Sequence, residues 1–403
     1  MSTQNIVNKY QNSTNVSQII TALQQDQNHF QITNLVGSSL SFVISESFKK
    51  TDKPYFLIFN DKEEAAYYLN DLEQLLGDKN VLFYPGSYRR PYQIEETDNA
   101  NVLLRSEVLN RINSRKKPAV IVTYPAALFE KVVTKKELEK NTLKVAVGES
   151  LSLDFVNEVL FEYKFKRVDF VTEPGDFSVR GGIIDVFSFS NDEPYRIEFF
   201  GDEIDSIRTF DVETQLSKEK MKKVSIMPNV ENKTFEENRE SFLKYISSKT
   251  VVFIKNIDLL VGNLDKFFQK SEEAFKDVSK EIKHTKPSEL FCDGNFIKNQ
   301  LQDFTLVNFG RSTAKDQLEI VFNVKPQPSF NKQFNLLIDD LNEHHLAGFT
   351  NYIFCANEQQ AKRFHDIFDD AEQEVHYETV VFPLYQGFVD INNKLLCYTD
   401  HEI

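Results

Sequence analysis

An alternation of strand-like and helix-like segments constrains the fold of this chain more than any other sequence feature. Short apolar runs at 30–36 (FQITNLV), 55–60 (YFLIFN) and 119–124 (AVIVTY) are separated by amphipathic segments. One such segment, EEAAYYLNDLEQLL, follows a capping residue, Asp61, and stops at Gly77, as helices commonly do. This alternation predicts an α/β fold built on a mostly parallel sheet.

The pattern changes at about residue 142 and returns later. A short helix is followed by strands and turns over 166–226, which predicts an α+β insertion. ENRESFLKYI (237–246) and a stretch near 256–283 are predicted to be helices, and 284–315 shows no regular pattern. Residues 316–403 repeat the β/α alternation and stop at TDHEI, which we interpret as a cut at a linker.

Composition narrows the class of protein. A net charge of −14 opposes a main role in binding nucleic acid, although short basic runs at 89–90 and 115–117 keep that alternative open. Apolar runs fall short of the roughly 18 residues that span a membrane, and the N-terminus does not resemble a secretory signal. Three widely spaced cysteines fit neither a disulfide framework nor a zinc site. We therefore expect a cytoplasmic protein with no membrane partner and no metal.

The segment 34–48 (NLVGSSLSFVISESF) occupies the position of a phosphate-binding loop between the first strand and the first sheet helix. A working loop needs further glycines, a lysine for the terminal phosphates and a hydroxyl for magnesium. The stretch offers one glycine and no lysine, and the seven histidines form no pattern typical of a catalytic site. The residues predicted not to bind nucleotide are Gly37, Ser38, Ser39, Leu40 and Ser41.

A hairpin is predicted around Gly201-Asp202, with glycine first as a type II′ turn prefers. Alternation along YRIEFF (195–200) then places Tyr195, Ile197 and Phe199 in the core. The opposite face displays Arg196, Glu198 and Phe200. A two-residue turn sets Phe200 opposite Glu203 and Glu198 opposite Asp205. An exposed arginine and phenylalanine are typical of a protein interface, but a solvated sheet face fits these residues equally well.

The strings EPGDFSVRGGIIDVF (173–187) and PYRIEFFGDEIDSIRTFD (194–211) resemble a signature shared by UvrB and the bacterial transcription-repair coupling factors (Mfd). Two departures separate the chain from UvrB. GSSLS replaces an intact phosphate loop, and 87–99 is too short for the aromatic hairpin with which UvrB probes damaged DNA. Both departures fit the coupling factors, and the resemblance extends over essentially the whole chain.

The resemblance implies a degenerate P-loop helicase-like domain (1–141 and 227–325), an inserted α+β UvrA-binding domain (142–226) and a further small α/β domain (326–403). It implies docking of UvrA, in nucleotide excision repair, by Arg180, Arg196 and Phe200. Glu198, Glu203 and Asp205 are secondary candidates. RNA polymerase, DNA, ATP and magnesium would be bound by later domains, so this fragment would not be an enzyme. The alternatives are a UvrB-type nucleotide-dependent ATPase and a DNA-binding module.

Overall fold

The computed structural model describes residues 2–25, 29–88, 98–114, 117–191, 193–229, 238–277, 285–310, 318–371 and 374–403. Most of 87–99 and the basic residues 89–90 and 115–116 lie outside these ranges. The helices are α1 (Ser2–Gln11), α2 (Thr14–Gln24), α3 (Ser39–Lys50), α4 (Lys62–Leu76), α5 (Asn99–Ser114), α6 (Pro125–Phe129), α7 (Lys135–Lys140), α8 (Leu153–Glu162), α9 (Phe242–Tyr245), α10 (Ile257–Asp277), α11 (Pro287–Leu290), α12 (Gly294–Leu301), α13 (Phe334–Leu346) and α14 (Glu358–Asp369).

The strands form three larger sheets and two short two-stranded pairs. They are β1 (His29–Thr33), β2 (Tyr55–Ile58), β3 (Val81–Tyr84), β4 (Val120–Thr123), β5 (Val132–Val133), β6 (Leu143–Ala146), β7 (Lys166–Arg167), β8 (Asp176–Arg180), β9 (Ile183–Val186), β10 (Tyr195–Phe200), β11 (Glu203–Phe210), β12 (Ser217–Met221), β13 (Lys223–Ile226), β14 (Arg239–Glu240), β15 (Val251–Ile254), β16 (Thr305–Asn308), β17 (Leu318–Val321), β18 (Val324–Pro326), β19 (Thr350–Cys355), β20 (Glu378–Val381), β21 (Phe388–Asp390) and β22 (Leu395–Thr399).

The central sheet has seven strands in the order β17-β1-β16-β15-β2-β4-β3, and all neighbours pair in parallel. Its inner strands are buried along their whole length, because helices cover both faces of a parallel sheet. The capped helix α4 is confirmed: the Asp61 carboxylate accepts a hydrogen bond from the Glu64 N–H at 2.8 Å, and Gly77 has φ +80°. The strand predicted over 30–36 ends earlier, at Thr33, where Asn34 turns the backbone to φ +59°.

Two predictions about secondary structure, for residues 237–246 and 284–315, are wrong. The helix expected over 237–246 is replaced, in its described part, by strand β14 and the single-turn helix α9. Tertiary pairing overrides helical propensity here, because Arg239 and Glu240 pair with β5 as an antiparallel strand. The stretch 284–315 is not irregular throughout, since it contains α11, α12 and β16.

The six-stranded sheet follows the order β12-β11-β10-β9-β8-β7. One face packs on helix α8, with Ile184 and Ile197 among its fully buried residues. The other face carries charged side chains and a small apolar cluster that includes Val171, Phe187 and Phe210. The hairpin motifs singled out in the sequence therefore lie on a six-stranded sheet with one solvent-facing side.

The last sheet has the order β18-β21-β22-β19-β20 and is flanked by α13 and α14. Its inner residues share one core with the first helices of the chain. The ring of Phe388 in β21, for example, meets Phe42 of α3 edge-on at 6.0 Å. Within the described ranges, the helices are too short or too polar to cross a membrane.

Candidate interaction surface

Two tight hairpins build the charged face of the six-stranded sheet. The first joins β8 to β9 through Gly181-Gly182, so that Arg180 pairs with Ile183. A Cβ on Gly182 would lie 3.0 Å from the carbonyl oxygen of Phe199, which explains why the chain carries no side chain there. The close approach holds the turn between β8 and β9 against Phe199 of β10, whose N–H donates to the Gly182 carbonyl at 2.8 Å.

The second hairpin joins β10 to β11 through Gly201-Asp202. Gly201 has φ +63° whereas Asp202 has no positive φ, as the predicted type II′ turn requires. The pairing of Phe200 with Glu203 is confirmed. The pairing of Glu198 with Asp205 is wrong, because an irregularity after Glu198 shifts the register and places Ser206 opposite it.

This bulge removes the like-charge opposition that the sequence suggested. Glu198 instead accepts a hydrogen bond from the Ser206 hydroxyl at 2.6 Å and forms an ion pair with Arg208. Asp205 is exposed at the bulge and Glu203 is exposed beside the turn. Of these three acids, Glu198 is engaged within the sheet, whereas Glu203 and Asp205 face solvent.

A buried carboxylate that the sequence analysis did not single out organises the two predicted arginines. Asp185, only 1% exposed, lies opposite both Ser178 and Arg196 in the middle of the sheet. Its Oδ1 accepts from Arg196 Nε at 2.7 Å, and its Oδ2 accepts from Arg196 Nη2 at 2.9 Å and Arg180 Nη2 at 2.6 Å. The Asp185 hydrogen bonds raise the pKa of the Arg196 guanidinium. The sequence did contain a signal for this ion pair: Asp185 is an acid that faces Arg196 if their two strands pair in antiparallel.

Arg196 is less exposed than the alternation predicted. Its side chain is 16% exposed, and the guanidinium lies over the Phe210 ring at 4.5 Å. Nη1 also donates to the backbone oxygen of Gln215 at 3.2 Å. Three contacts, two with strand residues and one with the loop between β11 and β12, thus hold this arginine in one orientation, and little of it extends into solvent.

Arg180 and Phe200 provide the accessible part of the surface. The Arg180 side chain is 45% exposed and lies 5.4 Å from the ring of Phe170, another exposed aromatic. Phe200, at the end of β10, is 84% exposed. A cation and an aromatic side chain presented by a rigid sheet are the groups that anchor protein interfaces.

The loop predicted not to bind nucleotide connects β1 of the central sheet to α3. It is well separated in sequence from these hairpins. The side chains of residues 38–41 are buried, and Gly37 has φ +56°. The Ser38 N–H donates to the Gln386 carbonyl at 3.1 Å rather than pointing into an open crevice.

Other chemical groups do not gather into a reactive centre among the residues that the structure describes. There, no group of three or more His, Cys, Asp or Glu side chains could hold a metal ion. The three cysteines are buried and unpaired. Burial raises the pKa of the Cys292 thiol to about 12, which disfavours the reactive thiolate.

Known proteins resemble this chain, and a family model matches the region that carries this surface. Residues 143–231 match the family model for the UvrB interaction domain. A transcription-repair-coupling factor of Bacillus subtilis (strain 168) is 30% identical over 254 residues, which are 63% of this chain and 21% of that protein. One from Staphylococcus aureus (strain bovine RF122 / ET3-1) is 34% identical over 224 residues, or 52% of this chain and 19% of that protein.

The chain therefore spans about a fifth of the length of these curated relatives. The matched domain, 143–231, includes both hairpins and all the residues gathered around Asp185. Residues 143–231 thus match the UvrB interaction domain, and over more than half of its length the chain is similar to transcription-repair-coupling factors.

Proposed function

We propose that this chain is the UvrA-recruiting part of a transcription-repair coupling factor. The observation that carries the proposal is the joint attachment of Arg180 and Arg196 to buried Asp185 on the same sheet as exposed Phe200. The family match over 143–231 supports the choice of partner, because it covers this whole surface.

The docking chemistry follows from the exposure of each group. The Arg180 side chain is nearly half exposed and would form charge-assisted hydrogen bonds to carboxylates of UvrA. Phe200 would fill a small apolar pocket on the partner. Arg196 contributes mainly by fixing the position of Asp185 and, through it, of Arg180. Glu203 and Asp205 are available for secondary contacts with basic groups.

We further propose that this region has no enzymatic activity and binds no cofactor. The fold is then a degenerate helicase-like domain in two parts, with the UvrA-binding domain inserted between them. The burial of residues 38–41 supports this proposal and disfavours the UvrB-type ATPase. ATP, magnesium, DNA and RNA polymerase are assigned to parts of a longer protein, which would act in the cytoplasm.

Phe200→Ala tests the docking proposal most cleanly, because so exposed a side chain contributes little to folding. We expect UvrA binding to weaken by about 1–3 kcal/mol, the usual cost of truncating an interface anchor. Binding is measured by calorimetry with purified UvrA. Leu346→Ala is the matched control, because Leu346 is 86% exposed and lies in α13, outside the proposed surface. Equal affinity for both variants and the unsubstituted chain would refute the assignment.

A further inference from the structure

The crevice at the end of β1 lies where open α/β sheets bind ligands. In such sheets, small molecules sit at the carboxyl ends of the strands, and phosphates sit at the N-terminus of the helix that follows. Here β1 ends at Thr33, and α3 begins at Ser39. The loop between them contacts a segment from the other end of the chain.

That segment joins β20 to β21 and is held by reciprocal hydrogen bonds. The Ser38 N–H donates to the Gln386 carbonyl, and the Gln386 N–H donates to the Ser38 hydroxyl, both at 3.1 Å. A Cβ added to Gly37 would lie 2.9 Å from the carbonyl oxygens of both Gln386 and Gly387. The two backbones therefore touch directly where a phosphate group would otherwise approach.

Helix α4 also contacts the segment that joins β20 to β21. Asp71, fully buried, accepts from the Tyr385 N–H and from the Ser41 hydroxyl, each at 3.0 Å. Tyr67 stacks on Tyr385 with ring centroids 4.2 Å apart. The Asp71 carboxylate thus links α3 to the segment that joins β20 to β21. Helix α4 adds an aromatic contact to the same segment through Tyr67.

We propose that residues 383–387 fill the crevice at the end of β1. The sheet formed by β18–β22, to which the sequence assigns no role, closes this crevice against phosphate-bearing ligands and fixes α3 and α4 to itself. This inference is independent of UvrA docking, because its residues lie in the central and last sheets and not in the six-stranded one.

Gly37→Ala in the full chain tests the contact. The control is Gly348→Ala, because Gly348 also has positive φ (+82°) but its added Cβ would meet no described atom within 4 Å. We expect the Ser38 and Gln386 amides to exchange hydrogen about tenfold faster in Gly37→Ala than in the control, since a contact of about 1.4 kcal/mol corresponds to that factor. Equal exchange in the two variants overturns the proposal.

Ser38→Ala decides the question if Gly37→Ala fails to fold. It removes the hydroxyl, which accepts from the Gln386 N–H and also hydrogen-bonds to Asp71, and it adds no bulk, so we expect faster exchange at Gln386 by about fivefold with the fold retained. Unchanged exchange there counts against the proposal.

Titration of the unsubstituted chain with magnesium ATP provides the second readout. We expect unchanged amide NMR signals at Ser38, Ser39 and Gln386, and saturable shifts would overturn the closure. UvrA binding should be unaffected by all three substitutions.

Discussion

Replacing Asp185 by asparagine isolates the group on which the proposed surface depends. The change keeps the size of the side chain but removes its charge and turns one acceptor into an NH₂ donor. Asp185 receives three hydrogen bonds from two guanidinium groups, at 2.6, 2.7 and 2.9 Å. After the substitution at least one guanidinium donor faces another donor.

The expected loss of stability follows from the exposure of each pair. Removing one partner of a fully buried ion pair costs about 3–5 kcal/mol. Arg196 is mostly buried, so its pair approaches that range, whereas Arg180 is nearly half exposed and its pair adds little because solvent screens it. The amide oxygen that remains after the substitution still accepts one bond. We therefore expect a loss of about 2–4 kcal/mol in the free energy of unfolding of this domain.

The assay combines urea unfolding with UvrA calorimetry. UvrA affinity should fall at least about tenfold for Asp185→Asn, because Arg180 loses its fixed orientation. Asp366→Asn is the matched control, an exposed acid in α14 outside the surface. To separate positioning from folding, Asp185→Asn is also made in an Arg180→Ala, Arg196→Ala background. If Asp185 acts only through the arginines, affinity should fall no further there. A full additional loss, or wild-type affinity for Asp185→Asn alone, would refute the reasoning.

Two further predictions concern the central sheet. Burial raises the pKa of Asp71 from 3.8 to about 6, so the folded state favours the protonated form; the associated stability is complete below pH 3.8 and is lost as pH rises through 6. We compare the free energy of unfolding of the unsubstituted chain with that of Asp71→Asn in urea titrations. The difference should grow in favour of the unsubstituted chain by on the order of 1 kcal/mol or more when the pH is lowered from 7 to 5. A difference that does not depend on pH would contradict this prediction. Asp61→Ala removes the cap of α4, whose carboxylate accepts from the Glu64 N–H, and should cost about 1 kcal/mol by the same titration; a cost near zero would show that α4 is held by packing alone.

Local patterns in the sequence predicted the elements whose formation depends on near neighbours. Continuous apolar runs identified β2 and β4, because a strand buried on both faces needs apolar residues throughout. Asp61 and Gly77 identified the ends of α4. Gly201-Asp202 fixed the turn and the pairing of Phe200 with Glu203, since a two-residue turn dictates which residues meet across it.

Tertiary structure decided what depends on strand pairing and on distant segments. The bulge beside Glu198 changed its partner from Asp205 to Ser206, a shift that alternation alone does not encode. Asp185 became the shared acceptor of two arginines only when β9 paired with both β8 and β10. The contact between Ser38 and Gln386 joins residues 348 positions apart, so no local pattern could reveal it. The sequence determined the elements that depend on near neighbours, such as β2, β4, α4 and the turn at Gly201-Asp202, whereas packing between elements decided which charges meet and which crevice is closed.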